Sequence, residues 1–175
     1  MFKKIAVAVI VLILLVLAYA ATQPDSFRVQ RMVAIKAPPA KIMPLISDFH
    51  QWPIWSPWEK LDPHMTRTFS GAPRDMGAVY AWTGNDKVGA GRMEITGMTA
   101  TGNVTIKLDF LKPLESHNVT EFVLQPQGDM TTVTWSMTGP SSYLTKLMGV
   151  FVSMDSMIGG DFERGLANMK SAAER

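Results

Sequence analysis

The sequence predicts an α+β fold, in which a curved antiparallel sheet of about six to seven strands wraps around a long C-terminal helix, behind an N-terminal transmembrane helix. Three observations predict it. Residues 1–21 are almost wholly apolar, residues 64–138 hold short strand-like segments between glycine-rich turns, and residues 144–169 repeat apolar side chains at helical spacing. A single antiparallel sheet must cover its apolar face, and the C-terminal helix is the only large element that can do so.

The first 21 residues form a membrane anchor or a signal segment. Lys3 and Lys4 precede a charge-free run over residues 5–21, which as a helix would be roughly 25 Å long, slightly under a hydrocarbon core of ~30 Å. We expect a single-pass anchor with the C-terminal domain outside the cytoplasm, because the two lysines hold the N-terminus inside. The alternative is a secreted or periplasmic domain after cleavage near Ala20, since Ala18-Tyr19-Ala20 fits the cleavage pattern.

Composition excludes several functions for the remainder, a linker over 22–26 and one domain over 27–175. The chain has 17 basic and 15 acidic residues, and setting aside Lys3 and Lys4 leaves 15 of each. A neutral domain offers no signature of nucleic-acid binding. The chain has no cysteine, which excludes disulfides and cysteine-based zinc sites, and its three histidines lack metal-ligand spacing. We expect neither a metal nor a cofactor.

The remaining elements follow in chain order. A first strand covers 27–36, and Pro38 or Pro39 opens a helix that continues to Ser47. Later strands are expected at 64–70, 78–83, 91–97, 103–110, 118–124 and 131–138. The C-terminal helix is expected to run for about 27 residues, or near 40 Å, with a bend or weak point at Gly159-Gly160.

A tryptophan-rich segment, residues 48–58, is the most informative stretch. It holds Trp52, Trp55 and Trp58, three of the five tryptophans, and is interrupted by Pro53 and Pro57. Proline excludes a long regular helix, so a short turn or a single helical turn must place these rings. Each ring buries roughly 150–250 Å², and the segment therefore predicts a hollow that the rings cover as a lid or wall.

Five local patterns carry a family resemblance. They are Ile35–Ala40, Ile46–Trp58, Tyr80–Asn85, Gly89–Ile95 and Thr132–Met137. Together, over about residues 26–172, they resemble the START-like (SRPBCC) superfamily of the helix-grip fold, in its polyketide cyclase/dehydrase and lipid-transport branch. The resemblance implies an apolar ligand held between sheet and helix and no universal catalytic motif, and the N-terminal segment implies a membrane-tethered version.

The ligand is therefore expected to be a hydrophobic small molecule or lipid. With the tryptophan segment at the mouth, the side chains expected to line the cavity are Trp82, Met93, Ile95, Ile106, Leu108, Phe110, Phe122, Trp135 and Met137 from the sheet, and Phe151, Met154 and Ile158 from the helix. Alternatives are a cyclase- or dehydratase-like enzyme and a non-enzymatic interaction module of the cell envelope that docks through exposed tryptophans.

Two residues are candidates for acid–base chemistry. A 3.6-residue period from Leu144 places Asp155 inside the apolar stripe of the C-terminal helix. A buried carboxylate has a raised pKa, or it needs a hydrogen-bond donor such as a tryptophan N–H or Tyr143. His50, beside the tryptophan rings, is the second candidate. Strand carboxylates such as Glu94 are expected to face solvent, because they alternate with inward apolar residues.

Overall fold

The structure is a computed structural model that describes residues 2–175. It begins with helix α1, Phe2–Ala21, which is long and apolar enough to cross a membrane on length and composition. Most of α1 is exposed, but its last turns pack against a later helix, α4 (Tyr143–Gly149). The Tyr143 hydroxyl donates a hydrogen bond to the Leu17 carbonyl at 3.0 Å, and Ala20 is fully buried.

Seven strands form one antiparallel sheet in the order β1-β7-β6-β5-β4-β3-β2. They are β1 (Ser26–Ile35), β2 (Thr66–Gly71), β3 (Ala78–Thr83), β4 (Ala90–Met98), β5 (Asn103–Lys112), β6 (Ser116–Gln127) and β7 (Met130–Pro140). The β4–β5 pairing shifts register between Ala90 and Gly91 and again between Ile95 and Gly97. Such bulges bend and twist a sheet locally, which favours a curved one. The predicted α+β helix-grip architecture is confirmed.

The C-terminal helix is not continuous, and the expected uninterrupted helix of about 27 residues is wrong. Helix α4 ends at Gly149, and α5 (Met154–Ala173) begins after a break. Ser153 causes the restart, because its side-chain oxygen accepts from the backbone N–H of Ser156 and so caps a new helix. The expected weak point at Gly159-Gly160 lies inside α5 and does not interrupt it; Gly159 instead leaves room for the Arg31 guanidinium.

The core lies between the sheet and α5. Phe162, Leu166 and Met169 form the buried face of α5. The Trp135 ring of β7 stacks on Phe162 at 4.0 Å between centroids and on Phe122 of β6 at 5.1 Å. This stack joins the two layers through aromatic surface, the largest apolar contribution that side chains offer.

The tryptophan-rich segment consists of short turns, as predicted. After helix α2 (Pro39–Ser47), a 3₁₀ turn at Phe49–Gln51, helix α3 (Trp52–Trp55) and a second 3₁₀ turn at Pro57–Lys60 follow. The indole N–H groups of Trp52 and Trp55 donate to the carbonyls of Ile46 and Leu45, at 3.1 and 2.6 Å. The last carbonyls of a helix have no partner within it, so these two bonds fix the segment to the end of α2.

Candidate functional site

A partly open pocket of about 210 Å³ lies between the sheet, α5 and the tryptophan-rich segment, and we call it the sheet pocket. Its walls are almost entirely apolar side chains. Nine of the fifteen residues expected to contact a ligand line it. Those from the sheet are Trp82, Met93, Leu108, Phe110, Trp135 and Met137. The others are Trp52, Trp58 and Ile158, from the tryptophan-rich segment and α5.

The other six do not line the pocket. Trp55, Ile95, Ile106 and Phe122 are fully buried and pack within the core. Met154 is half-buried against that core. Phe151 lies in the break before α5 and is 74% exposed, so its expected position against a cavity is wrong. That expectation required a continuous helix, and the break turns Phe151 toward solvent.

Neither acid–base candidate lies at the pocket. Asp155 was expected to be buried, with either a raised pKa or a hydrogen-bond donor. The burial is wrong, because its side chain is 55% exposed in the first turn of α5. Its carboxylate oxygens accept from both terminal nitrogens of Arg31, at 2.7 and 3.0 Å, which lowers the pKa of Asp155. His50 is also exposed, stacks on Phe69 at 4.1 Å and lies 2.9 Å from Asp48 Oδ1 through its Nδ1.

The carboxylate at the pocket is Glu59, which the sequence did not single out. It lines the sheet pocket and is only 8% exposed. Its Oε1 accepts from the Tyr80 hydroxyl at 2.6 Å, and its Oε2 accepts from Arg67 Nε at 2.7 Å. Arg67 Nη2 also donates to the Glu59 carbonyl at 3.0 Å. The turn after Trp58 is thereby tied to strands β2 and β3.

The electrostatics of this cluster keep Tyr80 protonated. Burial and the neighbouring Glu59 carboxylate together raise the pKa of the Tyr80 phenol far above its usual range, because both disfavour a phenolate. Glu59 also raises the pKa of Arg67. Sequence patterns pointed to carboxylates on the strands and on the C-terminal helix, whereas Glu59 lies in the 3₁₀ turn at Pro57–Lys60. The available signal was a lone carboxylate next to Trp58, followed eight residues later by Arg67.

Two polar atoms in the pocket wall have no hydrogen-bond partner within residues 2–175. They are Thr120 Oγ1 and Trp135 Nε1, and both residues are almost completely buried. A buried donor without a partner carries an unrecovered desolvation cost of roughly 1–3 kcal/mol. The unpaired buried polar atoms of the described residues are therefore concentrated in the pocket wall.

Trp82 can form part of the pocket wall because the residue opposite it on the neighbouring strand is a glycine. Its indole N–H donates to the Val88 carbonyl at 2.9 Å, and its ring lies over Gly91, the opposite residue of β4. A Cβ at Gly91 would collide with that ring and would lie 2.7 Å from the Asp109 carbonyl oxygen. The absence of a side chain at Gly91 therefore lets the Trp82 ring pack directly against the β4 backbone.

Asp109 was expected to face solvent as a strand carboxylate, and here the structure differs. It lies on the outer face of β5, but Lys107 and His117 cover it, with Lys107 Nζ at 3.1 Å from its Oδ2 and His117 Nδ1 at 2.7 Å from its Oδ1. Burial alone would raise the pKa of Asp109, but these two partners outweigh it and lower the pKa. Glu94 is half-exposed and pairs with Arg92 at 2.7 Å. Across residues 2–175 no three side chains of the metal-ligating types come together.

Comparison with known proteins assigns the family. A scan of family profiles matches residues 26–174 to "Polyketide cyclase / dehydrase and lipid transport". The chain belongs to this family. The match covers all seven strands and α5, so the whole START-like domain is included, while α1 lies outside it.

Solved structures of the same fold are distant in sequence from this family member. They include a protein from Chromobacterium violaceum (12% identity, 87% of this chain and 99% of that chain, TM-score 0.58). The Aha1 dimer from Colwellia psychrerythraea has 16% identity over 85% of this chain and 96% of that chain, with a TM-score of 0.60. A protein from Thermus thermophilus has 14% identity over 84% and 97%, with a TM-score of 0.59. No curated protein matches the chain. At these identities the neighbours define the fold alone.

Proposed function

We propose that the domain binds a small, mostly apolar molecule in the sheet pocket. The observation that carries this proposal is the pocket itself, which is walled by aromatic, methionine and aliphatic side chains between sheet and α5. Binding sites for small molecules are typically concave and apolar with a few polar groups. Here the polar side chains are those of Ser56, Glu59, Tyr80, Lys87 and Thr120. Methionines such as Met93 and Met137 suit a pocket that adapts to more than one ligand.

The size of the pocket narrows the ligand class. Its 210 Å³ exceeds the ~150 Å³ apolar cavity that holds benzene and falls below the roughly 300–1,000 Å³ typical of drug-sized ligands. A molecule of one or two rings therefore fits the pocket as it stands. A long-chain lipid is larger than this volume and enters only if part of the pocket wall moves outward. We expect that part to be Trp58, because it belongs to the short 3₁₀ turn at the pocket.

The proposal includes a membrane tether through α1. The helix has 20 residues, which at 1.5 Å per residue gives about 30 Å, the thickness of a hydrocarbon core. A single-pass anchor places the START-like domain outside the cytoplasm, as Lys3 and Lys4 favour. The intact mass of the protein in a membrane fraction tests this. A mass lacking residues 1–20 would establish a cleaved signal segment instead.

Calorimetric titration with 2-naphthol, a two-ring probe, tests ligand binding. We expect wild-type protein to bind it with a negative heat-capacity change, the mark of apolar burial. Ile158→Trp introduces a large ring into the half-buried helix wall of the pocket and should abolish binding. Ala167→Trp places the same ring on the exposed side of α5 and should bind as wild type does. A folded wild-type protein that takes up no 2-naphthol would overturn the proposal.

A second candidate is an enzyme of the cyclase or dehydratase type, and the position of Glu59 beside Tyr80 at the pocket favours it. A carboxyl group beside a phenol is a pairing that general acid–base catalysis uses, although the raised pKa of Tyr80 makes this phenol a poor proton donor. Against this role, both Glu59 oxygens already accept hydrogen bonds within the protein. The test is conversion of 1-tetralol to 1,2-dihydronaphthalene and water. Turnover by wild type that Glu59→Gln removes supports an enzyme, and no product excludes this reaction.

The tryptophans do not support the envelope docking module. Trp55 is fully buried, Trp52 is almost so, and Trp58 is partly buried against the core. Docking through exposed rings requires an apolar surface patch, and the tryptophan-rich segment presents its rings inward.

A further inference from the structure

A dense run of exposed large apolar side chains lies in α4, in the break that follows it and in the first turn of α5. Its members share exposure of about half or more of a large apolar side chain. They are Tyr143, Leu144, Met148, Phe151, Val152 and Met157, and we call them the α4 surface. Soluble monomers rarely leave contiguous apolar patches of this kind uncovered, and such patches commonly mark an interface with a protein or a membrane.

The α4 surface is almost free of charge. Between residues 143 and 157 the sequence holds two charged residues, Lys146 and Asp155, and Asp155 is paired with Arg31. The Lys146 side chain is only 10% exposed, and its Nζ forms an ion pair with Asp25, whose side chain is 97% exposed. This pair lowers the pKa of Asp25. The Lys146 side chain is thus mostly buried, while the apolar side chains of the α4 surface are exposed. This arrangement suits contact with hydrocarbon better than contact with water.

The position of helix α1 indicates what covers this surface. Its last turns pack against α4, and Tyr143 of the α4 surface donates its hydroxyl to the Leu17 carbonyl. A helix that crosses a bilayer along most of its 20 residues ends at the lipid–water boundary, so whatever packs on its last turns lies at that boundary too. Tyrosine is enriched at this depth because its ring is apolar and its hydroxyl is polar.

We propose that the α4 surface rests on the same bilayer that α1 crosses, with Phe151 and Val152 inserted below the headgroups. Amphipathic segments of this kind sink their apolar face by about 5–10 Å. The inference rests on the proposed tether, and it gives the break before α5 a role, because the break exposes Phe151. Helix α5 begins at Met154, and Ile158, four residues later, lines the sheet pocket. The helix wall of the pocket therefore starts within about two helical turns of the segment that we place at the membrane.

Single cysteines test this in a chain that has none of its own. Full-length Phe151→Cys carries an environment-sensitive fluorophore in phosphatidylcholine vesicles, and iodide measures access from water. The control is Met130→Cys, at the start of β7. That residue lies about 30 Å along the strand from Pro140, where the chain leaves for α4. We expect roughly fivefold or more weaker quenching at 151 than at 130, as for a side chain below the headgroups.

Leu12→Cys, in the middle of α1, separates the two possible failures. Shielding at 12 together with shielding at 151 supports the inference. Shielding at 12 with quenching at 151 equal to that at 130 overturns the inference and leaves the tether in place. Free access of iodide at 12 overturns both. None of these outcomes bears on 2-naphthol binding in the pocket, which is measured separately.

Discussion

The Glu59 cluster makes a quantitative prediction for Tyr80→Phe. This change removes one buried hydroxyl and leaves Glu59 Oε1 without its 2.6 Å donor, while Arg67 still holds Oε2. A hydrogen bond to a charged group contributes about 1.5–3 kcal/mol to the free energy of unfolding. The ring of Tyr80 is retained, so its packing against Phe49 and Trp82 is unchanged. We expect Tyr80→Phe to destabilise the domain by about 2 kcal/mol.

Urea unfolding followed by tryptophan fluorescence measures this loss. For a domain of this size, about 2 kcal/mol lowers Tm by roughly 4–8 °C. The matched control is Tyr143→Phe, which removes an exposed hydroxyl bonded to a backbone carbonyl and should change stability by less than ~0.5 kcal/mol. If Tyr80→Phe were as stable as the control, the Glu59 carboxylate would not depend on Tyr80, and the reasoning about the cluster would be refuted.

Three further changes are predicted. Gly91→Ala should cost about 1–3 kcal/mol in urea unfolding, because its Cβ collides with the Trp82 ring; Gly97→Ala on the same strand, with Thr105 atoms no closer than 3.4 Å, should stay near wild type. Thr120→Val should stabilise the domain by about 1 kcal/mol, since its hydroxyl has no protein partner, and a loss of stability would reveal one. The backbone N–H groups of Asn85 and His64 lower the pKa of Asp62, so its contribution is complete above the unfolded pKa of about 3.9 and is lost as pH falls through the lower folded value. The Tm gap between wild type and Asp62→Asn should therefore be widest above pH ~4 and close in stronger acid; a gap independent of pH would contradict this.

Local sequence signals predicted the strands well. Glycine-rich turns and alternation placed each strand core within a few residues, and β3 was predicted with its observed bounds, Ala78–Thr83. Prolines 53 and 57 correctly indicated that the tryptophan-rich segment consists of short turns. In each case the determining residues lie within the element itself, so the sequence contains the information directly.

The failures share a different cause. The break before α5 depends on competition between the Ser153 cap and a continuous apolar stripe, and periodicity alone favours the stripe. Placing Asp155 in a buried stripe followed from the same error. The burial of Glu59 depends on Tyr80, 21 residues away in sequence, and on Arg67 across the turn. Such non-local partners become visible only when the sheet has brought them together.

The most direct test of ligand binding in the sheet pocket is the NMR signal of methionine methyl groups during a 2-naphthol titration. Met93 and Met137 line the pocket, and Met76 is exposed away from it. Single Met→Leu variants assign these three signals and those of Met148 and Met157. The proposal predicts saturable shifts at Met93 and Met137 with none at Met76. Unchanged signals at Met93 and Met137, or shifts confined to Met148 and Met157 of the α4 surface, would contradict it.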